Sequence, residues 1–272
     1  MGAAMGSGRC TRTRARLLLA ACVVLPGASG CRAAKTLPVP REAPWVVVLG
    51  LAQDGGVPQA GDASAAGWGA PEHRALVTCL GLVDPLSGER WLFEATPDLP
   101  EELRRLDALA PPSTRAGQPA LKGVFVTHAH FGHYAGLGFF GHEVMGARGV
   151  PLFVMPRMAE FLRTSGPWSQ LVRYGNVELR ELAAGSTVRL NERLSVTPLP
   201  VPHRQEFSEV IALRIDGPER SVLFLPDIDS WEEWDAWGTR IEDQLAGVDR
   251  AFLDGTFWAN GEIPGRDMTG FP

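Results

Sequence analysis

A group of three histidines between positions 128 and 133 constrains this chain more than any other feature. They are three of the six histidines in the sequence, and they directly follow the apolar run 121–126, which predicts a short buried strand. His128 and His130 follow the strand end, and His133 lies on the loop into a Gly- and Ala-rich segment predicted to turn helical. Side chains two residues apart in an extended backbone point to the same side. Because imidazole is a common zinc ligand, the spacing predicts a metal site, with a surface histidine cluster as the alternative.

Polar side chains with ligand atoms also follow four other predicted strands. These residues are Asp54, His203, Asp227 and Asp254. Binding sites gather on loops that leave a rigid sheet, so we expect these side chains to lie near the three histidines. The predicted strands fall into two groups, each accompanied by predicted helices, and this pattern favours two sheets between two helical layers.

The segment 127–133, Thr-His-Ala-His-Phe-Gly-His, resembles the His-x-His-x-Asp-His signature of the metallo-β-lactamase superfamily. The resemblance covers residues 45–258 and implies an α/β (α+β) fold, an αββα sandwich of the metallo-β-lactamase type. Within the superfamily the chain is most similar to coenzyme PQQ synthesis protein B and its relatives. The segments that carry this closer similarity are 48–50, 55–59, 201–204, 225–227 and 253–258. Relatives continue further than Pro272, so the C-terminal part of the domain is expected to be incomplete.

The resemblance also implies a ligand set. By position, His128, His130 and His203 would bind one ion, and Asp227 would bridge to a second ion bound by His133. The expected ion is zinc, with iron or manganese as alternatives.

The second ion position lacks two of the family's ligands. Gly132 stands where the signature has aspartate, and no histidine follows His203. We therefore expect one metal ion rather than two. Asp54 is the upstream acid that would substitute for the missing carboxylate, and on that reasoning a Gly132→Asp variant should bind more metal.

Three functions are compatible with such a site. The resemblance favours a metal-dependent hydrolase that uses metal-bound water or hydroxide on a small-molecule substrate, with Asp227 as ligand and orienting group. Asp54 or Asp254 would complete a second site or act as a base, or each is an ordinary turn residue. A non-haem iron oxygenase and a metal-binding protein without activity are the alternatives. The polar residues after His203 that are candidates for the pocket are Arg204, Glu206 and Ser208.

The N-terminus predicts export. Four arginines precede the apolar run 17–25, and small residues lead to Cys31, as in a lipoprotein-type signal peptide over residues 1–31 with lipidation at Cys31. Ordinary secretory cleavage is the alternative. Residues 32–44 form a Pro-containing tether to the domain at 45–272. We expect an exported bacterial lipoprotein, held to the membrane by its lipid in the periplasm or at the cell surface. The net charge of -5 does not suggest a nucleic-acid partner, and the oligomeric state stays open.

Overall fold

A computed structural model describes residues 40–112, 118–257, 260–262 and 265. The predicted signal peptide with Cys31 and most of the predicted tether lie outside these residues, as does most of the chain beyond residue 257. None of the helices in the described part has the length and apolar character needed to cross a membrane.

Two mixed sheets contain the eleven strands of the described residues. In the first sheet the strand order is β1-β2-β3-β4-β5-β6, with strands β1 (Trp45–Gly50), β2 (Cys79–Asp84), β3 (Glu89–Phe93), β4 (Gly123–Phe125), β5 (Val150–Val154) and β6 (Val177–Glu181). In the second sheet the order is β11-β10-β9-β8-β7, with strands β7 (Val188–Arg189), β8 (Ser195–Pro200), β9 (Ile211–Asp216), β10 (Ser221–Leu225) and β11 (Arg250–Leu253).

The central strands are apolar on both faces because each face packs against another layer. In β3, Trp91 and Phe93 point to the core between the two sheets, whereas Leu92 points to the core under the helices. This alternation follows from the two-residue period of a strand. Leu213 and Phe224 meet the first sheet from the second one. The two sheets therefore pack face to face around a shared apolar core.

Helices cover the outer face of each sheet. They are α1 (Leu99–Leu109), α2 (Phe131–Tyr134), α3 (Pro156–Thr164), α4 (Trp168–Arg173), α5 (Trp231–Ala236) and α6 (Ile241–Ala246). Leu106 of α1 and Leu162 of α3 are buried against the first sheet, and Trp234 of α5 is buried against the second. The αββα sandwich expected from the sequence is confirmed.

The Trp-rich acidic segment 230–246 is divided in the structure. It forms α5 and α6 in place of one continuous helix. Gly238 between them has a φ angle of 88°. A right-handed helix does not continue through this backbone conformation, which glycine adopts without steric cost.

Candidate metal centre

The histidine motif begins where the buried strand β4 ends. β4 is parallel to β3 on one side and to β5 on the other, so the residues after Phe125 emerge at the carboxyl edge of the sheet. His128 and His133 are fully buried, with 0% of their surface exposed. The Ala129 amide donates a hydrogen bond to the Ser208 hydroxyl at 2.9 Å, which attaches the motif to the loop after β8.

Four ligand-capable side chains meet in front of this edge. The ring nitrogens His128 Nε2 and His203 Nε2 lie 2.8 and 3.0 Å from His130 Nδ1. Asp227 Oδ2, from the loop after β10, lies 3.3 Å from His128 Nε2 and 3.4 Å from His203 Nε2. The structure thus brings together the first ligand group expected from the sequence, since all four atoms lie within 4.8 Å of one another.

The outer ring nitrogen of each of these histidines faces an oxygen. His203 Nδ1 lies 2.9 Å from Asp229 Oδ1, and His130 Nε2 lies 3.0 Å from Glu206 Oε2. Carboxylates only accept hydrogen bonds, so both outer nitrogens carry the hydrogen. His128 Nδ1 lies 2.9 Å from Thr127 Oγ1, which itself donates to Glu94 at 2.6 Å and therefore accepts from the imidazole.

These hydrogen bonds decide what the inner nitrogens present. In a neutral imidazole only one nitrogen carries hydrogen, so the inner nitrogens of His128, His130 and His203 present lone pairs to one another. Three lone pairs and a carboxylate oxygen at such short distances repel unless a cation lies between them. The donor set fits a zinc ion, and the outer oxygens are the orienting partners that metal-binding histidines usually have.

A second group of donors lies beside the first and shares Asp227. His133 Nε2 lies 3.0 Å from Asp54 Oδ1 and 3.3 Å from Asp227 Oδ2. The donor atoms of Asp54, His133 and Asp227 also lie within 4.8 Å of one another. On the other side of the His133 ring, Nδ1 faces Glu94 Oε1 at 3.3 Å. The shared carboxylate of Asp227 therefore contacts donors of both groups.

Gly132 lies directly against Asp54. A Cβ atom at position 132 would be 2.4 Å from the Asp54 Cα and 2.7 Å from its Oδ1. The expectation that Gly132→Asp would add a ligand is therefore wrong, because the space that its side chain needs is occupied by Asp54.

The chain also matches a known protein family. The family model described as Beta-lactamase superfamily domain matches residues 89–269, which is more than half of the chain. The chain belongs to the beta-lactamase superfamily. Its fold is similar to that of Zn(2+)-bound PqqB from Methylobacterium extorquens, with a TM-score of 0.64 and 19% identity over 79% of this chain and 74% of that chain. The resemblance recognised in the sequence is confirmed at the level of the superfamily and of this likeness in fold.

A second solved structure with a similar fold is a diphosphatase from the PhnP family. It has a TM-score of 0.50 and 21% identity over 69% of this chain and 66% of that chain. None of the curated proteins matches the chain in sequence.

A cavity of about 740 Å³ opens next to the donor groups of this beta-lactamase superfamily protein. Its lining includes Gln53, Gly55 and Gln59 of the loop after β1, together with residues of the loops after β10 and β11. Asp227 lies in the lining, so the cavity reaches the candidate metal centre.

Asp254 lies on the cavity wall and outside both donor groups. Its carboxylate accepts hydrogen bonds from the backbone amides of Ile228, at 3.2 Å, and Thr256, at 2.9 Å. Burial raises the pKa of this carboxyl. The geometry favours a positioning role for Asp254, because its hydrogen bonds hold the loop that carries Asp227.

The three polar residues after His203 have separate contacts. Glu206 contacts His130, and Arg204 pairs with Glu206 at 3.2 Å. Ser208 binds the motif backbone and donates to the Glu209 carbonyl at 2.8 Å. The sequence did not distinguish these roles from an exposed polar loop, and it did not single out Asp229 or Glu94. The one signal for Asp229 is its position two residues after Asp227.

The electrostatics of the buried donors are strongly coupled. Burial lowers the pKa of His128 to about 3, and the neighbouring His133 acts in the same direction. For Asp227, burial acts to raise the pKa, but His133 and His128 outweigh it and hold the pKa well below its usual range. Asp227 is thus an ionised carboxylate and His128 a neutral imidazole, the forms in which both residues bind metal.

Proposed function

We propose that this protein is a metal-dependent hydrolase that acts on a small-molecule substrate. The observation that supports this most directly is the convergence of one ring nitrogen from each of three histidines with the Asp227 carboxylate, beside a cavity. We propose zinc as the ion, since imidazole nitrogen with carboxylate oxygen is a common zinc ligand set, and iron or manganese are the alternatives.

The side chains around such a site would have separate roles. A bound ion of this kind lowers the pKa of coordinated water to about 7 and polarises a carbonyl or phosphoryl oxygen. Asp229, Glu206 and Thr127 hold the imidazoles in the tautomer that binds an ion. Asp227 holds its oxygen between both donor groups, where it would bind the ion and orient a water molecule beside it.

The charge of the cavity narrows the substrate class. Its described lining includes the carboxylates of Asp62, Asp227 and Asp254 and contains neither lysine nor arginine. Substrates with several negative groups usually need such cationic partners. We therefore propose an uncharged or cationic carboxylic ester, lactone or amide in preference to a phosphodiester.

The test combines metal analysis with hydrolysis assays. The purified protein is expected to contain zinc and to hydrolyse a neutral ester or lactone faster than a phosphodiester, with activity lost in chelator and restored by zinc. His203→Ala should lose metal and activity together. The matched control is His142→Ala, which changes an exposed histidine outside both donor groups and should retain both.

Other outcomes would change the assignment. Iron content with substrate-dependent oxygen uptake would replace the hydrolase by an oxygenase. Bound metal without turnover of any ester, amide or phosphodiester would favour a metal-binding protein without activity.

We also propose that the protein is an exported lipoprotein, anchored through Cys31 in the periplasm or at the cell surface. The support is the order of basic, apolar and small residues that ends at this cysteine. Mass spectrometry of the mature N-terminus should find an acylated Cys31 as the first residue. An unmodified chain that starts elsewhere would contradict the proposal.

A further inference from the structure

We propose that Asp54 replaces the carboxylate that the histidine motif lacks at position 132. With His133 and Asp227 it forms a second ion site, so that each chain binds two ions. The inference deepens the proposed function, because it concerns the same centre, and it reverses the one-ion expectation drawn from the sequence. It depends on the positions of three donor atoms and on the space around Gly132.

The loop that carries Asp54 is held firmly against the neighbouring segment of the chain. The Gln53 carbonyl accepts a hydrogen bond from the Gly56 amide at 2.8 Å, which closes a tight turn around Asp54. On either side of this turn, isolated bridges pair Ala52 with Val77 and Val57 with Ala75. Asp54 is therefore presented from a fixed turn rather than from a free loop.

The absence of a side chain at position 132 is what permits this approach. Carbon atoms that are not bonded to each other normally stay about 3.5–4.0 Å apart, whereas a Cβ at position 132 would lie 2.4 Å from the Asp54 Cα. The obstacle is backbone, so a change of rotamer does not relieve it. Gly132 therefore leaves room for Asp54, and the carboxylate comes from the loop after β1 instead of from the histidine motif.

The two donor groups differ in the number of protein ligands. The first group has four donors, from His128, His130, His203 and Asp227, and the second has three. Zinc sites with three protein donors keep a position for water or substrate. Gln53 and Gly55, on either side of Asp54, line the cavity. The second ion would therefore have a position open to a substrate.

The experiment counts ions in the absence of substrate. Metal-free protein is equilibrated with zinc, and bound zinc per chain is measured by elemental analysis and by titration calorimetry. We expect about two zinc ions in the wild type and one in Asp54→Asn, which keeps the shape of the side chain and removes its charge. Asp62→Asn is the matched control, because Asp62 is an exposed aspartate on the cavity wall whose side chain contacts Ser64; it should retain two ions.

A second pair of variants tests the role of space. Gly132→Ala removes no donor, but its methyl group should displace the Asp54 turn and reduce the stoichiometry to one. The control is Gly138→Ala, where the nearest neighbour of an added Cβ is Trp168 Cζ3 at 3.6 Å, an ordinary contact. Circular dichroism establishes that each variant is folded, and Asp54→Asn decides the question if Gly132→Ala does not fold.

One zinc ion in the wild type, or two in Asp54→Asn, would overturn the inference. Neither result depends on turnover. A protein that binds two ions and hydrolyses nothing would contradict the proposed function and leave this inference standing, whereas an active one-ion hydrolase would do the reverse.

Discussion

The buried carboxyl of Glu102 provides a test of the fold that is independent of metal. Glu102 lies in the first turn of α1 with none of its surface exposed. Its Oε1 accepts a hydrogen bond from Thr96 at 2.7 Å, and its Oε2 has no hydrogen-bond partner within the described residues. Burial raises the pKa of this carboxyl from 4.5 to about 8. The folded protein thus retains a proton on Glu102 that the unfolded chain releases near pH 4.5.

The sign of the effect on stability follows from this difference. A group with a higher pKa in the folded state stabilises the fold fully below its unfolded pKa, and the stability is lost as the pH rises toward the folded pKa. For Glu102, this loss of stability occurs between pH 4.5 and about pH 8. At 1.36 kcal/mol for each pKa unit, Glu102 should reduce the free energy of unfolding by roughly 3 kcal/mol at pH 7 and roughly 5 kcal/mol at pH 9, relative to pH 4.

The Glu102→Gln variant removes this titration and keeps an oxygen that accepts from Thr96. Urea unfolding at pH 5, 7 and 9 should show that the variant gains stability over the wild type as the pH rises, by roughly 4 kcal/mol across the range. Glu160→Gln, an exposed glutamate of α3, should track the wild type at each pH. A difference between Glu102→Gln and wild type that does not change with pH would refute the reasoning.

Three further predictions concern the metal centre and the core. Asp229→Asn should weaken zinc binding about 10- to 100-fold, measured by calorimetry, because His203 loses the carboxylate that orients it. His128→Ala should remove metal and lower the melting temperature in excess zinc, because ion binding stabilises the folded state; equal melting temperatures with and without zinc in the wild type would contradict this. Phe93→Ala should cost about 3–5 kcal/mol in urea unfolding, because Phe93 stacks on Phe125 at 5.0 Å between the sheets; Phe207→Ala, at an exposed position, should cost far less.

The first donor group could be predicted from the sequence because its members are marked by local sequence patterns. The spacing of His128 and His130 after an apolar strand shows which side chains share a direction, and His203 and Asp227 each follow a strand end. The layers of the fold could also be predicted from the sequence, since strands such as β2 and β3 are apolar on both faces. These features depend on the period of a strand and on where strands stop.

The rest of the site depends on contacts between distant segments. Asp54 and His133 are 79 positions apart in the chain, and no local pattern states that their side chains meet. The sequence showed that Gly132 lacks a ligand atom, but the reason for glycine there is the close approach of another backbone. The Asp229 and Glu206 partners of the histidines are of the same kind, because an exposed polar loop would have the same composition.

The position of Asp54 between two residues of the cavity wall has a consequence for how ion and ligand affect each other. The turn that presents Asp54 to the ion also presents Gln53 and Gly55 to the cavity. An ion bound by Asp54 and a substrate in the cavity would therefore contact the same turn, so that each would help to hold the conformation that the other binds. Such coupling is reciprocal, so zinc should raise substrate affinity by the same factor by which substrate raises zinc affinity. Zinc would then be lost fastest from protein without substrate, and a bound substrate would protect the centre against chelators.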